Sequence, residues 1–359
     1  MKPGLAVIVL VSILLEGCAT PLLEMTDQDT GAVLQPISRS NITDVRAKFR
    51  QLFCAVNEDH GKELPDYRDC DDALHELADE DADAKEPVYL VFRNKLQVYV
   101  IPGIFGECLI DQVSPFSYAI DHMKSHNVQI SVVPGIRGRA SSPHNAKIIH
   151  EFFYKVEKSE DEKLLVIAYS KGTTDMLWYL GSNQYAGSHN KFDALISVAG
   201  VVNGTPLADD ANSLEKKLAE IFPFGECPTQ DSSGIEDLTR EKQLLRLSNQ
   251  KTPDHIKYYS VVAYTDEANV STMLKDSHRR LSLVDPRNDG QVIYYDSVIP
   301  TAKLLGYANA DHWAVALPFQ RHKRLSGLII RNIASGADKN EYPREVLVES
   351  ILRYVDMDL

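Results

Sequence analysis

The sequence predicts an α/β fold in which helices cover both faces of a mostly parallel central sheet. From residue 88 onward, short continuous apolar runs alternate with segments whose apolar residues recur at helical spacing. One of these runs ends at a serine between small residues and continues directly as a helix. With 44% apolar residues in a chain of 359, the core can be large enough for one α/β domain that carries an insertion.

The N-terminus has the features of an export signal. A positive charge precedes an apolar stretch over 5–15 that is too short to span a membrane permanently, so residues 1–17 are predicted to be a signal peptide. Cys18 closes a segment that resembles the lipobox of bacterial lipoproteins, which implies lipidation of this cysteine and anchoring to a membrane. The alanine after it favours, by the same resemblance, the outer membrane, facing the periplasm or the cell surface. Glu16 departs from the usual lipobox, so a secreted protein with an ordinary signal is the alternative.

Composition divides the rest of the chain into three regions. Residues 18–40 are polar and irregular and are predicted to be a tether. Residues 41–87 read as a helical, acidic extension, and residues 88–359 as the α/β domain. The chain carries 38 basic and 51 acidic residues, and this net charge of −13 argues against binding to nucleic acid.

Four further cysteines follow Cys18. Because an even number in an exported chain favours disulfides, we expect two bridges, for which three pairings are possible. One pairing joins Cys54 to Cys70 across a local loop and Cys108 to Cys227 across the domain. Buried free thiols are the alternative.

The expected elements follow the apolar patterns in chain order. Strands are expected at 88–93, 96–101, 129–133, 164–169, 194–199, 258–264 and 303–307. Helices are expected at 41–57, 117–126, 145–156, 173–180 and 344–355, together with a solvated acidic helix over 69–86. An insertion of about fifty residues over 207–257 holds predicted helices at 212–222 and 235–247. We interpret it as a cap or lid over the site, with a packed structural insertion as the alternative.

The apolar run over 164–169 leads into Ala168-Tyr169-Ser170-Lys171-Gly172. Such a turn is so tight that the residues two before and two after the serine must be small. The strain is tolerated because it lifts the Ser170 hydroxyl clear of the sheet. A hydroxyl needs activation before it can act as a nucleophile, so the motif predicts a histidine and a carboxylate later in the chain.

Two later segments supply these partners. His312 follows the last apolar strand, where an imidazole can reach the serine, and Asp289 lies in a turn over 285–290. The order serine, aspartate, histidine is the one expected for this kind of sheet. Asp266, just after the strand 258–264, is the alternative acid, and Asp285 and Asp296 lie nearby.

Four segments in order carry a resemblance to a known family. They are Ala168-Tyr169-Ser170-Lys171-Gly172, Gly204-Thr205-Pro206-Leu207-Ala208-Asp209, Asn288-Asp289-Gly290-Gln291-Val292 and Asn309-Ala310-Asp311-His312. From about residue 88 to the C-terminus the chain resembles the α/β-hydrolase superfamily, and within it the bacterial triacylglycerol-lipase-type serine esterases. The resemblance implies the α/β-hydrolase fold, an ester or lipid substrate, an acyl-enzyme intermediate and no cofactor.

The same resemblance implies two backbone donors for an oxyanion. One is the N–H of Lys171, the residue after the serine. The other belongs to the loop Pro102-Gly103-Ile104-Phe105, where Ile104 is the first choice and Phe105 the second. The superfamily usually has His-Gly in this loop, and Pro102 replaces that histidine.

His122 and His126 are four residues apart on a predicted helix, a spacing that can bind a metal. Since no third ligand with a matching context is evident in the sequence, we expect a surface helix and no metal site.

The sequence therefore predicts a serine hydrolase of carboxylic esters at the cell envelope. A thioesterase, amidase or acyltransferase would use the same three residues. The alternative outside enzymes is an inactive envelope lipoprotein that uses the fold for binding, although such a protein has no need of a strained serine.

Overall fold

The computed structural model describes residues 41–77, 80, 91–104, 113–210, 233–321 and 335–359. Within them, seven strands form one sheet in which all neighbours are parallel. The strands are β1 (Thr43–Asp44), β2 (Lys95–Ile101), β3 (Gln129–Val132), β4 (Glu162–Tyr169), β5 (Ala194–Val198), β6 (Lys257–Tyr264) and β7 (Lys303–Asn309). Their order across the sheet is β1-β7-β6-β5-β4-β2-β3, so the predicted mostly parallel sheet is confirmed.

Helices cover both faces of this sheet. Those described are α1 (Arg46–His60), α2 (Cys70–Ala73), α3 (Ser117–Lys124), α4 (Ser142–Lys155), α5 (Lys171–Gly181), α6 (Pro206–Asp209), α7 (Ser233–Glu236), α8 (Arg240–Asn249), α9 (Lys275–Ser282) and α10 (Arg344–Asp358). Alternate residues of β4 enter different apolar clusters, as the period of a strand requires. Leu165 and Ile167 pack with α1, α3 and α10, whereas Leu164 and Val166 pack with α4 and α5.

The strand predicted over 88–93 is wrong for its described part. Residues 91–93 lie outside the sheet, and β2 begins at Lys95. The backbone N–H groups of Arg93 and Asn94 donate to the carboxylate of Asp356, at 2.6 and 3.0 Å. These amides are therefore satisfied by the end of α10 instead of by a neighbouring strand.

The acidic helix predicted over 69–86 is also wrong where it can be compared. Only Cys70–Ala73 is helical, after which Leu74 bridges Ala308 of β7. The N–H of His75 then donates to the carbonyl of Tyr307 at 2.8 Å. The acidic segment thus runs along the edge of β7 instead of forming a helix. This pairing satisfies backbone hydrogen-bonding groups of the segment and places Leu74 in the core.

A disulfide joins Cys54 in α1 to Cys70, with 5.3 Å between their Cα atoms, so this predicted pairing is confirmed. Cys18, Cys108 and Cys227 lie outside the described residues, as does the predicted helix 212–222. Among the helices that are described, none is long and apolar enough to cross a membrane.

The described parts of the insertion are packed against the α/β body. The helix predicted over 235–247 is two helices, α7 and α8, with Leu238 buried between them. Leu245 is exposed, so the predicted apolar face is only partly correct. Two ion pairs tie the insertion to the body, Arg240 with Asp296 and Asp210 with Arg280.

Candidate active site

Ser170 lies at the turn between β4 and α5 with φ 54° and ψ −127°. These backbone angles are strained for any residue that has a side chain. Such a conformation persists only where the surrounding structure enforces it. Three backbone hydrogen bonds do so. The N–H of Ser170 donates to Val198 at 3.2 Å, and its carbonyl accepts from Thr173 at 3.0 Å and from Val201 at 3.2 Å. The predicted strand–turn–helix at Ser170 is confirmed.

Two glycines make the turn possible. A Cβ on Gly172 would lie 2.5 Å from the carbonyl oxygen of Ile101 and 2.7 Å from that of Pro102. A Cβ on Gly103 would lie 2.7 Å from the Cβ of Ser170. The turn and the loop after β2 therefore approach each other so closely that neither glycine has room for a side chain.

His312 joins the serine to the aspartate. Its Nε2 is 2.8 Å from Ser170 Oγ, and its Nδ1 is 2.6 Å from Asp289 Oδ2. All three side chains are buried, each with at most 4% of its residue surface exposed. Because Nδ1 faces a carboxylate, it carries the proton, and Nε2 is left to accept the hydroxyl hydrogen of the serine.

Both oxygens of the Asp289 carboxylate accept hydrogen bonds. Oδ1 accepts the backbone N–H groups of Gln291 at 2.8 Å and Val292 at 2.7 Å, while Oδ2 accepts the imidazole of His312. Gly290 has φ +89°, a conformation that suits glycine and lets the turn close on the carboxylate. The backbone of its own turn thus orients the aspartate so that Oδ2 faces the histidine.

The loop that carries His312 is held by its neighbours. Asp311 is buried and accepts the N–H groups of Trp313, Ala314 and Ser271, at 3.0, 2.7 and 2.7 Å. Burial raises the pKa of Asp311, although the hydrogen bonds from Ser271 and Ala314 oppose the rise. The hydroxyl of Tyr169 donates to the carbonyl of His312 at 2.7 Å. The backbone on both sides of the His312 side chain is therefore held in place, which positions the imidazole.

Lys171 follows the serine at the first position of α5, but its side chain is turned into the protein. It is fully buried and pairs with Asp175 at 2.6 Å. Burial raises the pKa of Asp175, an effect that Lys171 opposes. Only the backbone of Lys171 is therefore left to face a substrate. Ile104, half-buried, directly follows Gly103, whereas Phe105 lies outside the described residues.

The other candidate acids are not at the histidine. Asp266 is exposed on the turn after β6, and the carboxylate on His312 Nδ1 is that of Asp289. Asp285 pairs with Arg287 at 2.9 Å. Asp296 pairs with Arg240, and burial raises its pKa to about 6. The structure thus brings together Ser170 and His312 with the first-choice acid.

Sequence reasoning missed two contributors to this geometry. The contact of Gly103 with Ser170 and the hydrogen bond from Tyr169 to the His312 loop were not predicted. A glycine directly after a buried strand is a signal for close backbone approach, so Gly103 could have been found. Nothing local predicts the bond from Tyr169, which joins residues 143 positions apart.

The fold and the sequence are similar to those of the metagenomic carboxyl esterase MGS0156. The similarity covers 94% of this chain and 100% of that chain, with 32% identity and a TM-score of 0.83. Lipases share the fold at lower identity. The lipase of Staphylococcus hyicus is 12% identical with a TM-score of 0.52, and the match covers 76% of this chain and 98% of that one. Lipase 1 of Pelosinus fermentans is 11% identical with a TM-score of 0.52, over 74% and 99% of the two chains.

No protein-family profile and no curated protein matches the sequence. The relationship is therefore carried by the structure and by the identity to the metagenomic esterase.

Proposed function

The chain belongs to the carboxyl esterases of the α/β-hydrolase fold, and on that premise we propose that it cleaves carboxylic esters through an acyl-enzyme intermediate formed on Ser170. One observation carries the proposal. The Ser170 hydroxyl, the His312 imidazole and the Asp289 carboxylate form a continuous hydrogen-bonded chain with links of 2.8 and 2.6 Å.

In the first half of the reaction, His312 Nε2 takes the hydroxyl proton as Ser170 Oγ attacks the acyl carbon. Asp289 stays ionised and stabilises the imidazolium through the Nδ1 hydrogen bond. His312 then donates the proton to the leaving alkoxide, and the acyl group remains on the serine. In the second half, His312 deprotonates water, which attacks the acyl carbon, and the proton returns to Ser170 as the acid leaves.

The negative oxygen of each tetrahedral intermediate needs donors that are already in place. We propose the backbone N–H groups of Lys171 and Ile104 for this role. The position of Lys171 at the start of α5 supports the first, since the helix dipole also favours negative charge there. The contact between Gly103 and Ser170 supports the second, because it brings the loop that holds Ile104 to the nucleophile.

We propose lipid or other apolar acyl esters as the substrate class. The neighbouring lipases and the insertion that contains α6, α7 and α8 support this class. An anchor at Cys18 would hold the site beside a membrane, where such esters concentrate. Detergent partitioning of the mature protein tests the anchor, and a Cys18→Ala variant that still partitions like the wild type would refute it.

The catalytic proposal can be tested with a fluorophosphonate probe, which reacts with activated serines. We expect the wild type to be labelled and Ser170→Ala to be unlabelled. Ser248→Ala, which changes an exposed serine on α8, is the matched control and should be labelled like the wild type. A folded wild type that takes no label contradicts the proposal.

The substrate class needs a second measurement. Turnover of p-nitrophenyl esters of increasing acyl length, beside a thioester and an anilide of the same acyl group, ranks the possible substrates. We expect the esters to be turned over fastest, with a preference for the longer apolar acyl groups. Faster turnover of the thioester or the anilide would contradict the assignment.

A further inference from the structure

Three histidines and one glutamate meet at the junction of three helices, away from the catalytic residues in the sequence. His60 is the last residue of α1, His122 lies in α3, His126 follows α3 by two residues, and Glu349 lies in α10. We call these four residues the histidine–glutamate cluster. Of the residues that the structure describes, they are the one group of three or more potential metal ligands whose ligand atoms all lie within 4.8 Å of one another.

The three imidazoles point the same nitrogen at the same atom. Nε2 of His122, His60 and His126 lies 2.6, 2.8 and 3.4 Å from Oε2 of Glu349. A tetrahedral zinc ion with bonds of about 2.0–2.1 Å would separate its ligand atoms by about 3.3 Å. The three Nε2–Oε2 distances are thus within about 1 Å of those in a zinc site. We propose that the histidine–glutamate cluster is a structural binding site for a divalent transition metal, with Zn²⁺ as the best fit.

The chemistry of the donors selects this class of metal. Three imidazole nitrogens and one carboxylate oxygen suit zinc and its neighbours, whereas calcium and magnesium require mainly oxygen ligands. Four protein ligands fill a tetrahedral shell and leave no open position for substrate. The metal would therefore be structural, joining the N-terminal helix α1, α3 and the C-terminal helix α10.

Groups outside the cluster already orient two of its members. The carboxylate of Asp59 faces Nδ1 of His60 at 3.0 Å, so Nδ1 can keep its proton when Nε2 gives up its own to a metal. Arg353 donates to Oε1 of Glu349 at 2.7 Å and leaves Oε2 to face the histidines. Burial of Glu349 is outweighed by the hydrogen bonds of His122 and Arg353, which hold its pKa at about 2, so the ligand is ionised.

One contact opposes metal binding. A guanidinium nitrogen of Arg353 lies 3.3 Å from Nδ1 of His126 and donates to it. His126 must transfer its proton from Nε2 to Nδ1 to become a ligand, and this long hydrogen bond must be given up. His60 and His122 must likewise give up the Nε2 protons that they donate to Oε2 of Glu349, so metal binding would release protons.

Zinc binding to the mature, tag-free protein tests the proposal. After treatment with a chelator, titration with Zn²⁺ in a calorimeter should show one site per chain. At a hundredfold excess of Zn²⁺ over Kd, the Tm should rise by about 3–5 °C. Co²⁺ in place of Zn²⁺ should give the intense visible absorption of tetrahedral coordination.

Variants locate the site. The double variant His122→Gln and His126→Gln should weaken Zn²⁺ binding at least about 100-fold and lose the tetrahedral Co²⁺ spectrum. If it does not fold, His60→Ala removes a ligand at the end of α1, where the side chain is 20% exposed. His144→Ala, on the exposed side of α4, is the matched control and should bind zinc like the wild type.

Two results would overturn the proposal. One is a folded wild type without saturable binding of one Zn²⁺, which would make the cluster a hydrogen-bonded junction only. The other is equal binding by the wild type and the His122/His126 double variant, which would place the metal elsewhere. Both outcomes are independent of the esterase assay.

Discussion

The proposed catalytic residues and the histidine–glutamate cluster both combine imidazoles with a carboxylate, but in opposite arrangements. In the candidate active site a single imidazole has two different partners, Asp289 on Nδ1 and the Ser170 hydroxyl on Nε2. In the cluster three imidazoles present the same nitrogen to one oxygen of Glu349. Two unlike partners give a proton a direction of transfer, whereas imidazole nitrogens that converge on one carboxylate can bind a cation once they are deprotonated.

The two regions also differ in what holds them. Ser170, Asp289 and His312 all lie on turns at or beyond the carboxyl ends of strands, and the nucleophile sits in a strained conformation. Three members of the cluster, His60, His122 and Glu349, lie on helices that pack against each other, and none of the three has a positive φ. Among the residues of the two regions, Ser170 is the one with a strained backbone, and it is the group that must be aimed at a substrate.

Replacement of His312 should separate the two regions most strongly. His312→Ala removes the base and should lower kcat about 10⁴-fold or more, because the serine then has no acceptor for its proton. Zinc binding by the same variant should equal that of the wild type. Ester turnover and calorimetry are measured on the same preparation, with His144→Ala as the control that changes neither. A His312→Ala enzyme that keeps most of its activity would show that His312 is not the base.

The next largest effect is expected from the carboxylate. Asp289→Asn keeps the shape of the side chain but no longer fixes the imidazole proton on Nδ1, so kcat should fall roughly 10³–10⁴-fold. Asp266→Asn alters the exposed rival and should leave kcat within about twofold. Steady-state kinetics on one ester compare the pair. Should Asp266→Asn be the crippled variant, the geometry at His312 would not be the reacting one.

The proposed catalytic residues could be predicted because each belongs to a recognisable local sequence pattern. A strained turn requires small residues two positions on either side of Ser170, and the Asp289 turn requires Gly290 next to it. His312 follows a buried strand directly. These constraints act over a few residues, so one sequence contains them. The same holds for the buried strands, whose apolar runs record that both faces of the sheet are covered.

The remaining features depend on partners far along the chain. The backbone at Arg93 is satisfied by Asp356, which is 263 residues away. The strand β1 has two residues and no apolar pattern, and it exists because Lys303 and Leu304 lie beside it. The i, i+4 pair of His122 and His126 was visible, but the ligands that complete it belong to α1 and α10. Helix packing, which brings them together, has no signature in the histidine spacing.

A smaller effect tests how closely the oxyanion loop must approach the nucleophile. In Gly103→Ala the added methyl group would lie 2.7 Å from the Cβ of Ser170, so the loop or the serine must shift. A displacement near 1 Å should cost roughly 10²-fold in kcat. Gly187→Ala is the matched control, since nothing lies within 4 Å of its added methyl. The kcat values of the two variants are compared by steady-state kinetics, after thermal unfolding has shown that the variants are equally stable. Wild-type turnover by Gly103→Ala would show that the loop does not constrain the site.

The smallest expected effect concerns a third carboxylate, which lacks the full set of partners that Asp289 and Glu349 have. Oδ1 of Asp209 accepts the N–H of Arg240 at 3.2 Å, but its buried Oδ2 has no hydrogen-bond partner among the described residues. Burial raises the pKa of Asp209 to about 6, against the opposing effect of Arg240. The folded state therefore binds this proton more tightly than the unfolded state, whose pKa is near 3.8.

The sign of the pH dependence follows from that difference. The contribution of Asp209 to stability is greatest below about pH 4 and is lost as the pH rises through about 6, by about 1–2 kcal/mol after allowance for solvent screening. Asp209→Asn should remove this loss, so its Tm relative to the wild type should rise between about pH 4 and pH 7. Asp71→Asn, at an exposed aspartate, controls for the change in net charge. A Tm difference that does not depend on pH would mean that Oδ2 has a partner after all, and that Asp209 belongs with the satisfied carboxylates of the two histidine sites.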